Sequence, residues 1–282
     1  MRTLFTLFTL ATVLDAQTVA RFGSPSLRHP NPPQKAGPNR QLFVPPLVNF
    51  VFPYLLASSN RTTTLYLTNL ENRNIKVYCD FIGLDGEELP LAFDFSANEK
   101  DTTAYTESNL SPYSTDSFRT VSTATALTTG WTYCAAEDET DRFSGYAVVR
   151  STAADGSSRE FITPLQPDKE PVFSVPFTEG ASSQTSLILV NVDSDSDSTL
   201  ALWYYDREGK TIGNGSITLK PGYLRTIVLN DVFKAVPNGT VRVVSVEGTK
   251  YITGMALRTN AAGATAFPPL TPTEAPPAVT PQ

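Results

Sequence analysis

Thr64-Leu65-Tyr66-Leu67-Thr68-Asn69 and Ser186-Leu187-Ile188-Leu189-Val190-Asn191 decide how this chain is read. In each, two leucines share one phase of a period near two, the mark of a strand with a buried face. The two stretches also match each other, and the match continues on both sides. Ala57-Ser58-Ser59 recurs as Ala181-Ser182-Ser183. Val77-Tyr78-Cys79-Asp80-Phe81, followed by Asp85-Gly86, aligns with Leu200-Ala201-Leu202-Trp203-Tyr204, followed by Glu208-Gly209. Gly130 and Gly145 correspond to Gly239 and Gly254, and the second of each pair opens Gly145-Tyr146-Ala147-Val148 or Gly254-Met255-Ala256-Leu257. An internal repeat of this length fixes the organisation before any fold is considered.

The offset between copies is 122 to 124 at the front and 109 at the back, so the first copy is about 14 residues longer. The extra residues fall between Asp94 and Thr125, a Ser/Thr/Asn-rich stretch containing Ser111-Pro112 that reads as a long loop. Turn signals follow the other blocks at Asp85-Gly86, Asp155-Gly156, Asp193 to Ser198, Glu208-Gly209 and Pro221-Gly222. No stretch keeps a 3.6-residue period over three turns. Short strands at this spacing predict an all-β chain of two tandem antiparallel immunoglobulin-like β-sandwiches, with repeat 1 over 49–168 and repeat 2 over 169–270.

The ends read differently. Arg2 and the uncharged, mostly apolar run 3–14, with small residues at Ala16 and Ala20, read as a secretory signal peptide over 1–20. An apolar run of about a dozen residues is too short for a span that needs roughly 20. A secreted or periplasmic protein without an integral membrane span is expected. Residues 21–48 and the tail 271–282, with the adjoining Pro268 and Pro269, hold 13 of the 22 prolines, so both segments read as stiff, solvated linkers.

In an oxidising compartment the two cysteines, Cys79 and Cys134, are read as one disulfide. Cys79 aligns with Leu202 and Cys134 with Val243, so both should face the core, joining either the two sheets or adjacent strands. Closing a loop of about 56 residues contributes roughly 4 kcal/mol in the chain-entropy model.

Charge and chemistry exclude more than they propose. Residues 17–48 carry four basic and no acidic residues; 49–168 carry 17 acidic and 8 basic; 169–270 carry nine of each. No concentrated basic face results, and nucleic-acid binding is not expected. His29 is the single histidine and lies in the proline-rich linker, so no scaffold holds an imidazole for a nucleophilic or zinc site. Carboxylate pairs of the glycosidase kind would have to come from Glu87-Glu88 or from Glu137, Asp138, Glu139 and Asp141. The second set reads as a solvated hairpin turn, with a Ca²⁺ site the alternative. Asp193-Ser194-Asp195-Ser196-Asp197 imitates the start of a calcium loop, but Tyr204 stands where the bidentate Glu belongs and Ser198 where the Gly belongs. No catalytic residue, cofactor or metal is assigned. Tyr54, Tyr66, Tyr78, Tyr113, Tyr133, Trp203 and Tyr205 are candidates for rings that stack on sugars.

The blocks Thr64 to Asn69, Phe81 to Gly86, Gly130-Trp131 and Gly145 to Val148, with Ser186 to Asn191, Lys220-Pro221-Gly222 and Gly254 to Leu257, resemble tandem immunoglobulin-like β-sandwich modules of exported bacterial proteins. The second copy departs at Gly239-Thr240, where Trp is missing, and the first copy lacks Pro-x-Gly. The resemblance covers about 52–270 and implies a fold without conferring an activity. The expectation is a non-catalytic secreted or cell-surface module for adhesion, surface association or scaffolding, with an unknown protein or glycan partner. The alternative is a carbohydrate-binding module using exposed aromatics, with or without assistance from Ca²⁺. Of the two copies, the first, with the acidic excess and the cysteines, is expected to carry any specialised task.

Overall fold

The computed structural model describes residues 50–95, 99–138, 140–167, 172–178, 183–229, 238–246, 252–260 and 263–270. The leader, the linker with His29 and the tail 271–282 lie outside these residues. The first repeat forms β1 (Phe50–Ala57), β2 (Arg61–Asn69), β3 (Ile75–Gly83), β4 (Leu91–Phe95), β5 (Glu99–Thr103), β6 (Tyr105–Leu110), β7 (Thr115–Val121), β8 (Thr128–Ala136), β9 (Phe143–Thr152), β10 (Ser158–Pro164) and β11 (Gln166–Pro167). The second forms β12 (Val172–Thr178), β13 (Ser183–Asn191), β14 (Ser198–Asp206), β15 (Thr211–Leu219), β16 (Leu224–Val228), β17 (Asn238–Ser245), β18 (Ile252–Asn260) and β19 (Gly263–Phe267).

The strands make four antiparallel sheets. Sheet I runs β11-β1-β8-β3-β6 and sheet II β10-β9-β2-β7-β4-β5; sheet III runs β12-β17-β14-β15 and sheet IV β16-β13-β18-β19. Sheets I and III therefore share one order, and so do II and IV, strand for strand. Sheet I adds the two-residue edge strand β11, and sheet II adds the β4–β5 hairpin, which has no counterpart. The hairpin accounts for the length difference between the copies and corrects the expectation of a long loop. Leu91 and Phe93 alternate into the core, and Phe93 packs on Phe81 with ring centroids 4.5 Å apart. Polar composition concealed a strand pair because only those two positions need be apolar where a hairpin adds to a sheet edge.

Each sandwich has its own core. Leu65, Leu67, Val77, Phe81, Phe118 and Ala147 lead the first; Leu187, Leu189, Leu200, Val241, Val243 and Ala256 lead the second. Cys79 and Cys134 are bonded, with Cα atoms 4.1 Å apart, and sit directly opposite each other on β3 and β8. The bridge lies within sheet I rather than between sheets, unlike the antibody arrangement. In sheet III the same two positions are Leu202 and Val243, also directly opposite.

Two devices recur in both copies and explain the shared motif. Asn69, buried at the end of β2, donates its amide to the Arg73, Leu110 and Ser111 carbonyls. Asn191 donates to Ser196, Leu219 and Lys220 in the same way. Each amide ties three carbonyls together at the strand end, about 1 kcal/mol per bond. Gly145 and Gly254 are required by close approach: a Cβ would strike the Tyr66 or Ile188 carbonyl and press on a phenylalanine ring, Phe52 or Phe173.

The turn that the second copy builds from Lys220-Pro221-Gly222 is present in the first as Ser111-Pro112-Tyr113. Ser114 N–H donates to the Ser111 carbonyl and Tyr223 N–H to the Lys220 carbonyl, both at 3.1 Å. Gly222 has φ 70°, and Tyr113 takes φ 54° in its place. For a residue with a side chain that conformation costs roughly 1–2 kcal/mol.

A third apolar cluster joins the sandwiches. Val51, Leu56, Ile82 and Trp131 of sheet I meet Ile188, Val190, Leu224, Met255 and Leu257 of sheet IV. The layers therefore run II, I, IV, III, with Val149 of sheet II also in the cluster and its edge strand β10 beside β19 of sheet IV. Trp131 Nε1 donates to the Gly222 carbonyl at 2.8 Å, Leu224 N–H to the Leu84 carbonyl at 3.2 Å, and Thr253 to Gln166 Oε1 at 3.0 Å. β1 and β13 are consequently buried on both faces over most of their length, which is why Ile188 and Val190 stand where a two-layer sandwich would show polar residues.

Candidate functional site

Three surfaces combine side chains that could do chemistry or bind. The acidic turn after β8 is the first. Asp138 and Asp141 pair with Arg73, at 3.7 and 2.6 Å, and Glu71 with Arg142 at 2.6 Å. The Arg142 guanidinium holds the Glu71 carboxyl below its usual range. Glu137 accepts a hydrogen bond from the Tyr78 hydroxyl. These carboxylates face arginines and a phenol, and Glu139 lies outside the described residues. Asp193 turns inward on its own loop, accepting from the Asp195 and Ser196 amides and from the Ser196 hydroxyl. Among the described residues no group of three or more His, Cys, Asp or Glu is placed to hold a metal ion.

Asp80 is the second, and residue typing gave no warning of it. It sits half-buried on the outer face of sheet I, paired across the strands with Tyr133 and Tyr105. Burial, and then the nearby Glu88 carboxylate, push its carboxyl up to about 7. Glu88 reaches it because the turn after β3 folds back to bridge Ile82. Of the proposed Glu87-Glu88 pair, then, Glu88 works with Asp80 instead of with Glu87.

The sign of the effect on stability follows. A carboxyl raised by folding is destabilised when ionised, so its penalty is absent below about pH 4 and complete above about pH 7. Asp80→Asn is expected to stabilise the chain by about 2 kcal/mol at pH 8, roughly half the full linkage value because water reaches the group. At pH 4 it should change little. Urea midpoints at the two pH values check this, and a variant less stable than the parent at pH 8 would refute it.

The third surface is a groove of about 670 Å³ on the outer face of sheet III, lined by Ser174, Pro176, Thr178, Tyr205, Thr240 and Arg242 among others. Register places Ser174, Arg242 and Trp203 in one row and Pro176, Thr240 and Tyr205 in the next. The groove and Asp80 belong to different sandwiches and do not meet.

The candidate rings scatter over these surfaces. Tyr54 is buried, and burial raises its hydroxyl to about 12. Tyr66 stacks on Tyr146 at 4.7 Å and 16°, and Tyr78 on Tyr105 at 5.8 Å and 19°. Each pair stacks face to face across neighbouring strands, so the rings do not line up as a coplanar platform for a sugar. No protein-family model matches this chain, and no curated protein does. Among the described residues no helix is long and apolar enough to cross a membrane.

Proposed function

We propose that the chain is an exported, non-catalytic scaffold, a rigid double sandwich that acts at the cell surface or beyond it in adhesion or surface association. The seam between sheets I and IV carries the reading. Eleven buried residues, Trp131 among them, fix two domains as one block, and a block of fixed geometry suits presentation over turnover. The disulfide supports an oxidising compartment, where such bonds persist. The apolar leader and the proline-rich flanks read from the sequence fit export and spacing.

Location decides the matter. Cells expressing the full chain should present it to a membrane-impermeant amine label, and the denatured, labelled protein should show no free thiol. A pool confined to the cytoplasm with both Cys79 and Cys134 reactive would overturn the proposal.

A further inference from the structure

The seam inside the chain has a counterpart at each end of it. Sheet I docks on sheet IV through its outer face; sheet III has the strand order of sheet I, and sheet II that of sheet IV. The two end faces of the molecule, II and III, are thus the two halves of the same contact, each without its mate. Register makes the correspondence residue by residue. Val51, Leu56, Ile82, Trp131 and Tyr133 become Ser174, Thr178, Tyr205, Thr240 and Arg242. All five counterparts line the groove of sheet III. The groove is therefore the docking footprint of the seam, emptied of its bulk.

That bulk reappears across the contact. Within the chain, Trp131 fills the space over Gly222 and donates to its carbonyl. At the ends the sizes are exchanged: the Trp131 position is Thr240, and the Gly222 position is Tyr113. Tyr113 holds its left-handed backbone with its ring 70% exposed. Strain retained at an exposed position invites a role for that side chain.

The six large apolar side chains exposed among the described residues are Leu70, Tyr113, Tyr146, Ile162, Val246 and Leu270. Leu70, Tyr146 and Ile162 share the outer phase of sheet II, with Tyr113 on its rim; Val246 and Leu270 follow the outer phase of sheet III. Charge does not oppose the contact: Arg119–Asp94 and Arg150–Glu160 pair on the outer face of sheet II, and Asp206, Arg207 and Arg242 line the groove together.

We infer that chains of this protein associate head to tail, the outer face of sheet II of one copy seating on the outer face of sheet III of the next, with Tyr113 entering the groove beside Thr240. The contact repeats the internal one with knob and hole exchanged. It is heterologous, so it propagates unless a rotation closes it into a ring. The inference goes beyond the proposed location and can fail without it, since it is read on purified protein.

Sedimentation velocity of the full chain over a concentration series up to about 100 μM is expected to show reversible growth beyond the monomer. Tyr113→Gly removes the knob and relaxes the backbone, so the variant should melt no lower than the parent while associating at least about 30-fold more weakly. Thr240→Trp fills the groove and should do the same. Mixing the two variants sets the intact sheet II face of one against the intact groove of the other, and the new glycine of one against the new tryptophan of the other as Trp131 meets Gly222 in the internal seam, so association beyond the monomer is expected to return. A chain that stays monomeric throughout, growth that survives both substitutions, or a mixture that stays monomeric would each overturn the inference.

Discussion

Trp131→Ala is expected to split a single unfolding transition into two. The indole is buried between sheets I and IV, and its N–H donates to the Gly222 carbonyl. Truncating a buried tryptophan removes about 4 kcal/mol through lost transfer energy and the cavity left behind. Here that loss falls on the seam and not on either core, because Trp131 belongs to neither core cluster. Calorimetry should show one transition for the parent and two for the variant, the sandwiches melting separately. Trp131→Phe keeps most of the packing and forfeits the hydrogen bond, so it should lose about 1 kcal/mol and stay coupled. An unchanged single transition in the alanine variant would show that the seam contributes little.

Removing the bridge is expected to act on one sandwich only. With its ends 55 positions apart in sequence, the Cys79–Cys134 bond stabilises by about 4 kcal/mol in the chain-entropy model. The second sandwich fills the same positions with Leu202 and Val243 and has nothing to lose. In the Trp131→Ala background, where the transitions are separate, adding Cys79→Ala and Cys134→Ala should lower one of them and leave the other in place. Equal losses in both would mean that the sandwiches remain coupled without the indole.

Much of this architecture was legible in the sequence because duplication writes every structural requirement twice. Asn69 and Asn191 stand out since an amide must answer three carbonyls at the same strand end. Gly145 and Gly254 stand out since a neighbouring carbonyl leaves no room for a side chain. The cysteine positions were legible for the same reason: Leu202 and Val243 show what an inward-facing pair looks like.

What escaped the reading is what the two copies do differently. A search for Pro-x-Gly passes over Pro112-Tyr113, although the backbone makes the same turn. The β4–β5 hairpin has no second copy to reveal it, and its polar composition imitates a loop. The groove could not be read at all, because Thr240 becomes informative only once Trp131 is seen pressed against Gly222. Asp80 escaped because alternation says that it points away from one core and says nothing about Glu88 folding back beside it.

The placement of the bridge bears on how the double sandwich would carry tension applied between Phe50 and Leu270. A pull applied at Phe50 acts opposite Cys134 on β8. Cys134 is tied covalently to β3, so the load is shared at once among three strands of sheet I, with β1 held in shear along its length. A pull applied at Leu270 meets two backbone hydrogen bonds, of 2.9 and 2.8 Å, to Ser174 on the edge strand β12. Those bonds meet the same force a pair at a time. Under tension the C-terminal clamp is the fuse, and the bridged sheet is the anchor.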